Sequence, residues 1–157
     1  MTLIVELIAS INNVSKLNMK TVKYILKINN NDVEVLVNQS QYHFEINLFE
    51  YGLYDKYILS KFIHDLASTK NVLNNTNKLI VIHRVDKSHP QVQLILKNLL
   101  DIQNCKFIVT SRNFSKISNQ VKSRCCCIKI PYPHATEVRE YIEAYSSRCP
   151  SLKMSRQ

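Results

Sequence analysis

The chain holds a single glycine, Gly52, in 157 residues. A loop that wraps phosphates in backbone N–H groups needs several positions without a Cβ, so that successive amides can turn towards one point. Neither G-x-x-x-x-G-K-[ST] nor G-x-G-x-x-G can be written with one glycine. The residues at hand therefore supply no phosphate-cradling loop.

The regular elements can be placed from periodicity. "LIVELIAS" reads as a short opening helix, and "TVKYILKI" and "DVEVLV" alternate around "NNND" as a β-hairpin does. "YHFEIN" is a third strand, followed by "FEYGLY" as a loop. From Asp55, the expected N-cap, "KYILSKFIHDLAS" sets Ile58, Leu59, Phe62, Ile63 and Leu66 on one helical face. "KLIVIH" and "CKFIVT" are continuous apolar runs, the pattern of strands buried on both faces. Between them, Ser88 as cap and Pro90 in the first turn open a helix with Val92, Ile95, Leu96 and Leu99 along one side. "FSKISNQVKS" predicts a short helix and loop, "CCCIKI" a further core strand, and "HATEVREYIEAYSS" a last helix before a tail. Strand, helix, strand, helix, strand predicts an α/β fold, a parallel sheet flanked by helices with a small hairpin near the start. Residues 1–145 are expected to form the core domain and 146–157 the tail.

Charge narrows the partner. Residues 1–80 hold eight Lys and seven acids, whereas residues 81–157 hold seven Lys and six Arg against five acids, so most of the +9 lies in the second half. Such asymmetry points to a polyanion, nucleic acid above all. No apolar run approaches the roughly 20 residues of a membrane span, and "MTLIVELIAS" has no basic start, so an intracellular protein with no membrane partner is expected. Five cysteines, an odd number, fit reduced thiols. Cys125, Cys126 and Cys127 would alternate between the faces of a strand and cannot close one tetrahedral site, so no metal is expected and small core side chains are.

"SQYHFEINLFEYGLYDKYILSKFIHDLAS", "KLIVIHRVDK", "CKFIVTSRNFSKISNQVKSRC" and "IKIPYP", in that order, resemble the small subunits of eukaryotic replication factor C, AAA+ clamp loaders that place a sliding clamp on primed DNA. The likeness runs from about residue 20 to 145. It covers the middle of such a subunit, a partial AAA+ (P-loop NTPase-like) core, with the family's P-loop before it and its helical lid and collar after it.

The resemblance carries expectations residue by residue. In a hydrolysing relative the strand like "LIVIH" ends in acids that hold Mg²⁺ and orient water. Here His83 and Arg84 stand there, Asp86 keeps a later acid, and Arg112 takes the place of a polar sensor residue, so this chain is expected to bind no cofactor and not to hydrolyse ATP. ATP and Mg²⁺ belong to neighbouring subunits. In "SRC" Arg124 is the arginine finger that reaches a neighbour's γ-phosphate, with Ser123 and Cys125 setting and packing its turn. Lys87, Lys97, Asn98, Lys116 and Lys122 are the implied DNA-contacting set, read by backbone and not by sequence. Leu99, Leu100 and Ile102 lie where the family meets its clamp. The implied function is a non-catalytic clamp-loader subunit of DNA replication, partnered by other clamp-loader subunits, the clamp and primer-template DNA, in the nucleus of a eukaryote or at a viral replication site. The alternatives are a stand-alone basic DNA-binding module or an inactive truncated fragment.

Overall fold

A computed structural model describes residues 2–28, 31–68 and 78–148. The chain divides into two compact units, Met1–Cys126 and Cys127–Gln157. The first is an α/β layer. After helix α1 (Thr2–Ile11), strands β1 (Lys20–Ile28), β2 (Asn31–Gln39) and β3 (His43–Asn47) run antiparallel, and β4 (Lys78–His83) and β5 (Cys105–Val109) add in parallel to β3. The spatial order is the chain order, β1-β2-β3-β4-β5. Helices α2 (Asp55–Ser68) and α3 (Pro90–Leu99) are the crossovers, and α4 (Asn119–Lys122) follows β5. Part of the expected hairpin turn, residues 29–30, and the tail residues 149–157 lie outside the described residues.

Both faces of the sheet are buried at its centre, as the unbroken run "LIVI" in β4 requires. Ile80 and Ile82 face a large core made with Ile58, Leu59, Phe62 and Ile63 of α2 and Val92, Leu96 and Leu99 of α3, while Val81 faces α1 and packs with Ile8 and Leu17. The predicted stripe of α2 is thus wholly buried. Phe62 meets Tyr24 of β1 edge-on at 5.5 Å, tying the hairpin to the crossover helix. Truncating so buried a ring costs about 3–5 kcal/mol.

Gly52 earns its place by backbone alone. It sits within a 3₁₀ segment, Leu48–Tyr54, at φ 52° and ψ −115°, and a Cβ added there would touch nothing within 4 Å. Its neighbour Tyr51 uses this turn to reach β2, where the hydroxyl accepts from Leu36 N (2.8 Å) and donates to Leu36 O (3.2 Å). The ring therefore covers backbone that β3, paired with β2 only at residues 38–39, leaves open.

Three expectations are corrected. "CCCIKI" is not a strand: residues 126–134 have no regular structure, Cys125 is partly buried, and Cys126 and Cys127 are exposed. Alternation licenses a strand only where a ladder partner exists, and Pro131 and Pro133 have no N–H to offer one. Asp55 is the first helical residue of α2, not its cap; one carboxylate oxygen accepts from Lys56 N (2.7 Å) and the other from His89 N (3.2 Å), joining the starts of α2 and α3. The cap of α3 is His89, whose Nδ1 accepts from Gln91 N (3.2 Å), while the Ser88 hydroxyl donates to Val85 O (2.7 Å).

In the second unit α5 (Ala135–Arg148) forms as expected. Glu137 accepts from the backbone N–H of His134 (2.8 Å), closing the first turn. Val138, Tyr141, Ile142 and Tyr145 line one side of α5 and are exposed, with the two tyrosine rings stacked at 6.4 Å.

Candidate functional site

Polar residues collect along β3 and at the carboxyl ends of β4 and β5, the end at which open parallel sheets commonly bind ligands. His43, Glu45 and Asn47 occupy alternate positions of β3, and the register sets Asn47 opposite His83 of β4. Ser40 Oγ already accepts from Tyr42 N (3.1 Å) and His43 N (3.3 Å), so its proton goes to His43 Nδ1 at 2.6 Å. That leaves His43 Nε2–H to donate to Glu45 Oε1 at 3.2 Å. The other carboxylate oxygen lies 3.7 Å from His83 Nε2, and His83 Nδ1 is 3.4 Å from Thr110 Oγ1 on the far side. Polar side chains thus follow one another from Ser40, ahead of β3, to Thr110, just after β5. Burial alone would raise the Glu45 carboxyl, but the His43 hydrogen bond and the His83 ring outweigh it and bring the pKa from 4.5 down to about 2.

Among the described residues, the buried side-chain atoms without a hydrogen-bond partner are Glu45 Oε2, Asn47 Oδ1, His83 Nε2 and Arg84 Nε. All four stand at this one place. Although two imidazoles flank one carboxylate, no three His, Cys, Asp or Glu among the described residues are grouped as a metal site requires.

Arg84 follows β4 in the left-handed region, φ 55° and ψ 45°, which a residue with a Cβ adopts only when its surroundings hold it there. Its N–H donates to Thr110 Oγ1 (3.1 Å), and its guanidinium lies over the Phe49 ring at 5.2 Å. Asp86 is buried, and its Oδ1 accepts from Arg112 N (3.2 Å). The carboxylate is therefore spent on the loop after β5, while the Arg112 side chain is exposed. The four strand-end residues read from the sequence do meet here, His83 at the end of β4, Arg84 and Asp86 on the loop after it and Arg112 on the facing loop. His43, Glu45, Asn47, Phe49 and Thr110 were missed; polar residues at every second position of "HFEIN", in an otherwise apolar sheet, are the signal that marks three of them.

A second group lies on α3 and α4. Gln93, buried on α3, donates to Lys116 O (3.0 Å) and accepts from Ser118 N (2.7 Å), so the loop entering α4 is fixed to α3. Val121 drives α4 into the core, and the chain then turns, with Arg124 N–H on Val121 O (3.1 Å) and the Ser123 hydroxyl on Gln120 O (3.1 Å). Arg124 Nε donates to both oxygens of Asp101 (3.2 Å each) and Nη1 donates to Gln120 O (3.1 Å). Cys125 packs against the core. Lys87, Asn98 and Lys116 are exposed and Lys97 is partly so, while Lys122 Nζ lies 4.3 Å over the Phe114 ring. Leu99 is buried, and Leu100 and Ile102 pack partly on the core, leaving Leu94 as the exposed leucine of α3. Among the described residues, no helix is long and apolar enough to cross a membrane.

No family model matches the chain. By sequence it is 25% identical over 132 residues to probable replication factor C subunit 3 of Dictyostelium discoideum, covering 81% of this chain and 38% of that protein. It is 24% identical over 133 residues to replication factor C subunit 5 of Oryza sativa subsp. japonica, covering 82% and 38%. It is 26% identical over 140 residues to the putative replication factor C small subunit L478 of Acanthamoeba polyphaga mimivirus, covering 85% and 37%. The chain is a partial, distant homologue of replication factor C subunits, and it spans less than two fifths of the length of these relatives.

Proposed function

We propose that this chain acts as a non-catalytic, clamp-loader small-subunit-like protein of DNA replication. It works within a hetero-oligomer of clamp-loader subunits, offers Arg124 to an ATP bound by a neighbour, and lays α3 and α4 against primer-template DNA while the assembly loads a sliding clamp. The likeness to replication factor C subunits of a cellular eukaryote and of a virus supports the setting, nuclear in the one case and the viral replication site in the other.

The observation that carries the reading is the state of Arg124. Its Nε edge and one Nη1 proton are bound within the chain, and the remaining N–H groups of the fork have no partner among the described residues. A guanidinium so held presents its terminal edge for an anionic oxygen from outside. The charge it brings can stabilise a phosphoryl group as negative charge builds on it during transfer.

The chain's own strand-end residues do not fit a magnesium nucleotide. Arg84 would set a guanidinium where a cation needs oxygen donors, and Asp86, the acid nearest it in sequence, is bound to Arg112 N. The unpartnered Arg84 Nε is a donor, which repels rather than coordinates a metal. We therefore assign no hydrolytic step to this site.

The test is an assembly reconstituted with its partner subunits. Arg124→Ala is expected to lower turnover at the adjoining ATP site by about 10³-fold or more, with the circular-dichroism melt of this chain unmoved, because the side chain is outside the core. Unchanged turnover would remove the finger. A second reading, a basic DNA-binding module working alone, is favoured by the charge of residues 81–126, where eight Lys and Arg stand against two acids. Affinity purification from the native source separates them: recovery of clamp-loader subunits supports the first, their absence with DNA binding retained supports the second.

A further inference from the structure

Arg124 is held by a residue that belongs to another element. Asp101 follows the last turn of α3, and Arg124 follows α4; the two are 23 residues apart and meet through Nε at 3.2 Å to each carboxylate oxygen. Gln120 O takes a proton of Nη1 at 3.1 Å. A guanidinium is planar, so contacts on two of its edges fix both its position and the direction in which the third edge points. The two anchors are themselves tied together, because Gln93 joins α3 to the loop that enters α4 through bonds of 3.0 and 2.7 Å.

Stability is a weak reason for the pair. The Asp101 side chain is 60% exposed and that of Arg124 32%, a setting in which an ion pair contributes little. A carboxylate beside a guanidinium also offsets the positive charge that would attract an anion. What the contact supplies is orientation, since an arginine side chain free to rotate spreads over many rotamers and must be ordered before it can act.

From this geometry we infer that Asp101 is the positioning residue of Arg124, holding the Nε edge inward so that the terminal nitrogens face an anionic phosphoryl oxygen presented by a neighbouring chain. The inference rests on the arginine-finger reading above, and it assigns a role to a residue outside the "SRC" segment. No covalent step involves Asp101.

Two measurements test it separately. In this chain alone, phenylglyoxal modification of Arg124, followed by peptide mass spectrometry, is expected to run several-fold faster in Asp101→Asn and to return towards the native rate in Asp101→Glu. An unchanged rate in Asp101→Asn overturns the positioning claim whatever Arg124 does in an assembly. In the reconstituted assembly, Asp101→Asn is expected to lower kcat between about tenfold and 10²-fold with KM for ATP little changed, and Asp101→Glu to recover most of it. Asp101→Asn placed on Arg124→Ala should add nothing, because the two side chains act as one unit. If Arg124→Ala slows turnover and Asp101→Asn leaves it unchanged or raises it, Asp101 does not position the finger and the finger reading stands. If Arg124→Ala has no effect, the finger reading itself falls, and the labelling rate still decides whether Asp101 holds the side chain.

Discussion

Glu45 is the residue on which the polar cluster turns, because it is a carboxyl group only 2% exposed. An ionised carboxylate so deep is tolerated only with hydrogen-bond donors, and the His43 imidazole, oriented by the Ser40 hydroxyl, is one at 3.2 Å. The sign of its pH dependence follows from the depressed pKa. Taking 4.5 as the unfolded value and about 2 as the folded one, the folded state holds its proton less tightly, so the contribution is complete above 4.5 and is lost as pH falls towards 2. Its size is about 3 kcal/mol. Glu45→Gln should therefore unfold at lower urea at neutral pH, and the gap between it and the native chain should close by about 3 kcal/mol between pH 4.5 and 2. Urea midpoints taken across that range measure it; a gap independent of pH would mean that the carboxylate is not stabilised by its partners. Arg84 is the complementary case, a side chain whose left-handed backbone and stacking on Phe49 come from the fold and not from its own preference.

At the level of elements, what could be read from the sequence were the features that depend on period and composition. The hairpin, the stripes of α2 and α3 and the doubly buried run of β4 all follow from spacings of 2 or 3.6 residues and from which side chains are apolar. What could not be read depends on a partner elsewhere in the chain. "CCCIKI" alternates as a strand does and yet forms none, since alternation says nothing about a neighbouring ladder. Ser88 is the better cap by composition, but the backbone places His89 at the position that faces Gln91 N. The strand-end site was half visible: His83, Arg84, Asp86 and Arg112 came from the resemblance, while Glu45 is brought to them by the β3–β4 register and Thr110 by its bond from Arg84 N. Gln93 was invisible for the same reason, being one polar residue on an apolar helical face. Its two bonds satisfy backbone groups of Lys116 and Ser118, and Gln93→Ala should cost about 1–3 kcal/mol by leaving them without partners. The same variant should raise hydrogen exchange at Ser118 and through α4 more than in β3 and β4, since it frees the loop that carries α4. Equal exchange across both regions would place the effect in the core and not in that link.

For the whole molecule the deciding quantity is the distribution of charge over the first unit. Between residues 81 and 126 the two acids are Asp86 and Asp101. The first is buried on Arg112 N and the second is paired with Arg124, so about six positive charges of the eight Lys and Arg in that stretch stay in excess. Lys87, Lys97 and Lys116 stand on or beside α3 and α4 with their side chains at least partly in solvent, and Lys122 leans on Phe114. If these four lysines meet duplex phosphates, about four counterions leave on binding, and log K should fall with log salt at a slope of about −3.6. Affinity for a primer-template duplex would then drop about 150-fold between 50 and 200 mM salt. Each Lys→Gln substitution among the four should weaken binding and make the slope shallower by about 0.9, whatever the base sequence. Lys23 is the control: it is paired with Glu34 at 3.3 Å on the hairpin, and Lys23→Gln should leave the slope unaltered. Fluorescence anisotropy with two duplexes of unrelated sequence measures all of this. A slope that responds equally to Lys23 and to the four lysines would mean that the chain's net charge, and not the side of α3 and α4, draws the nucleic acid.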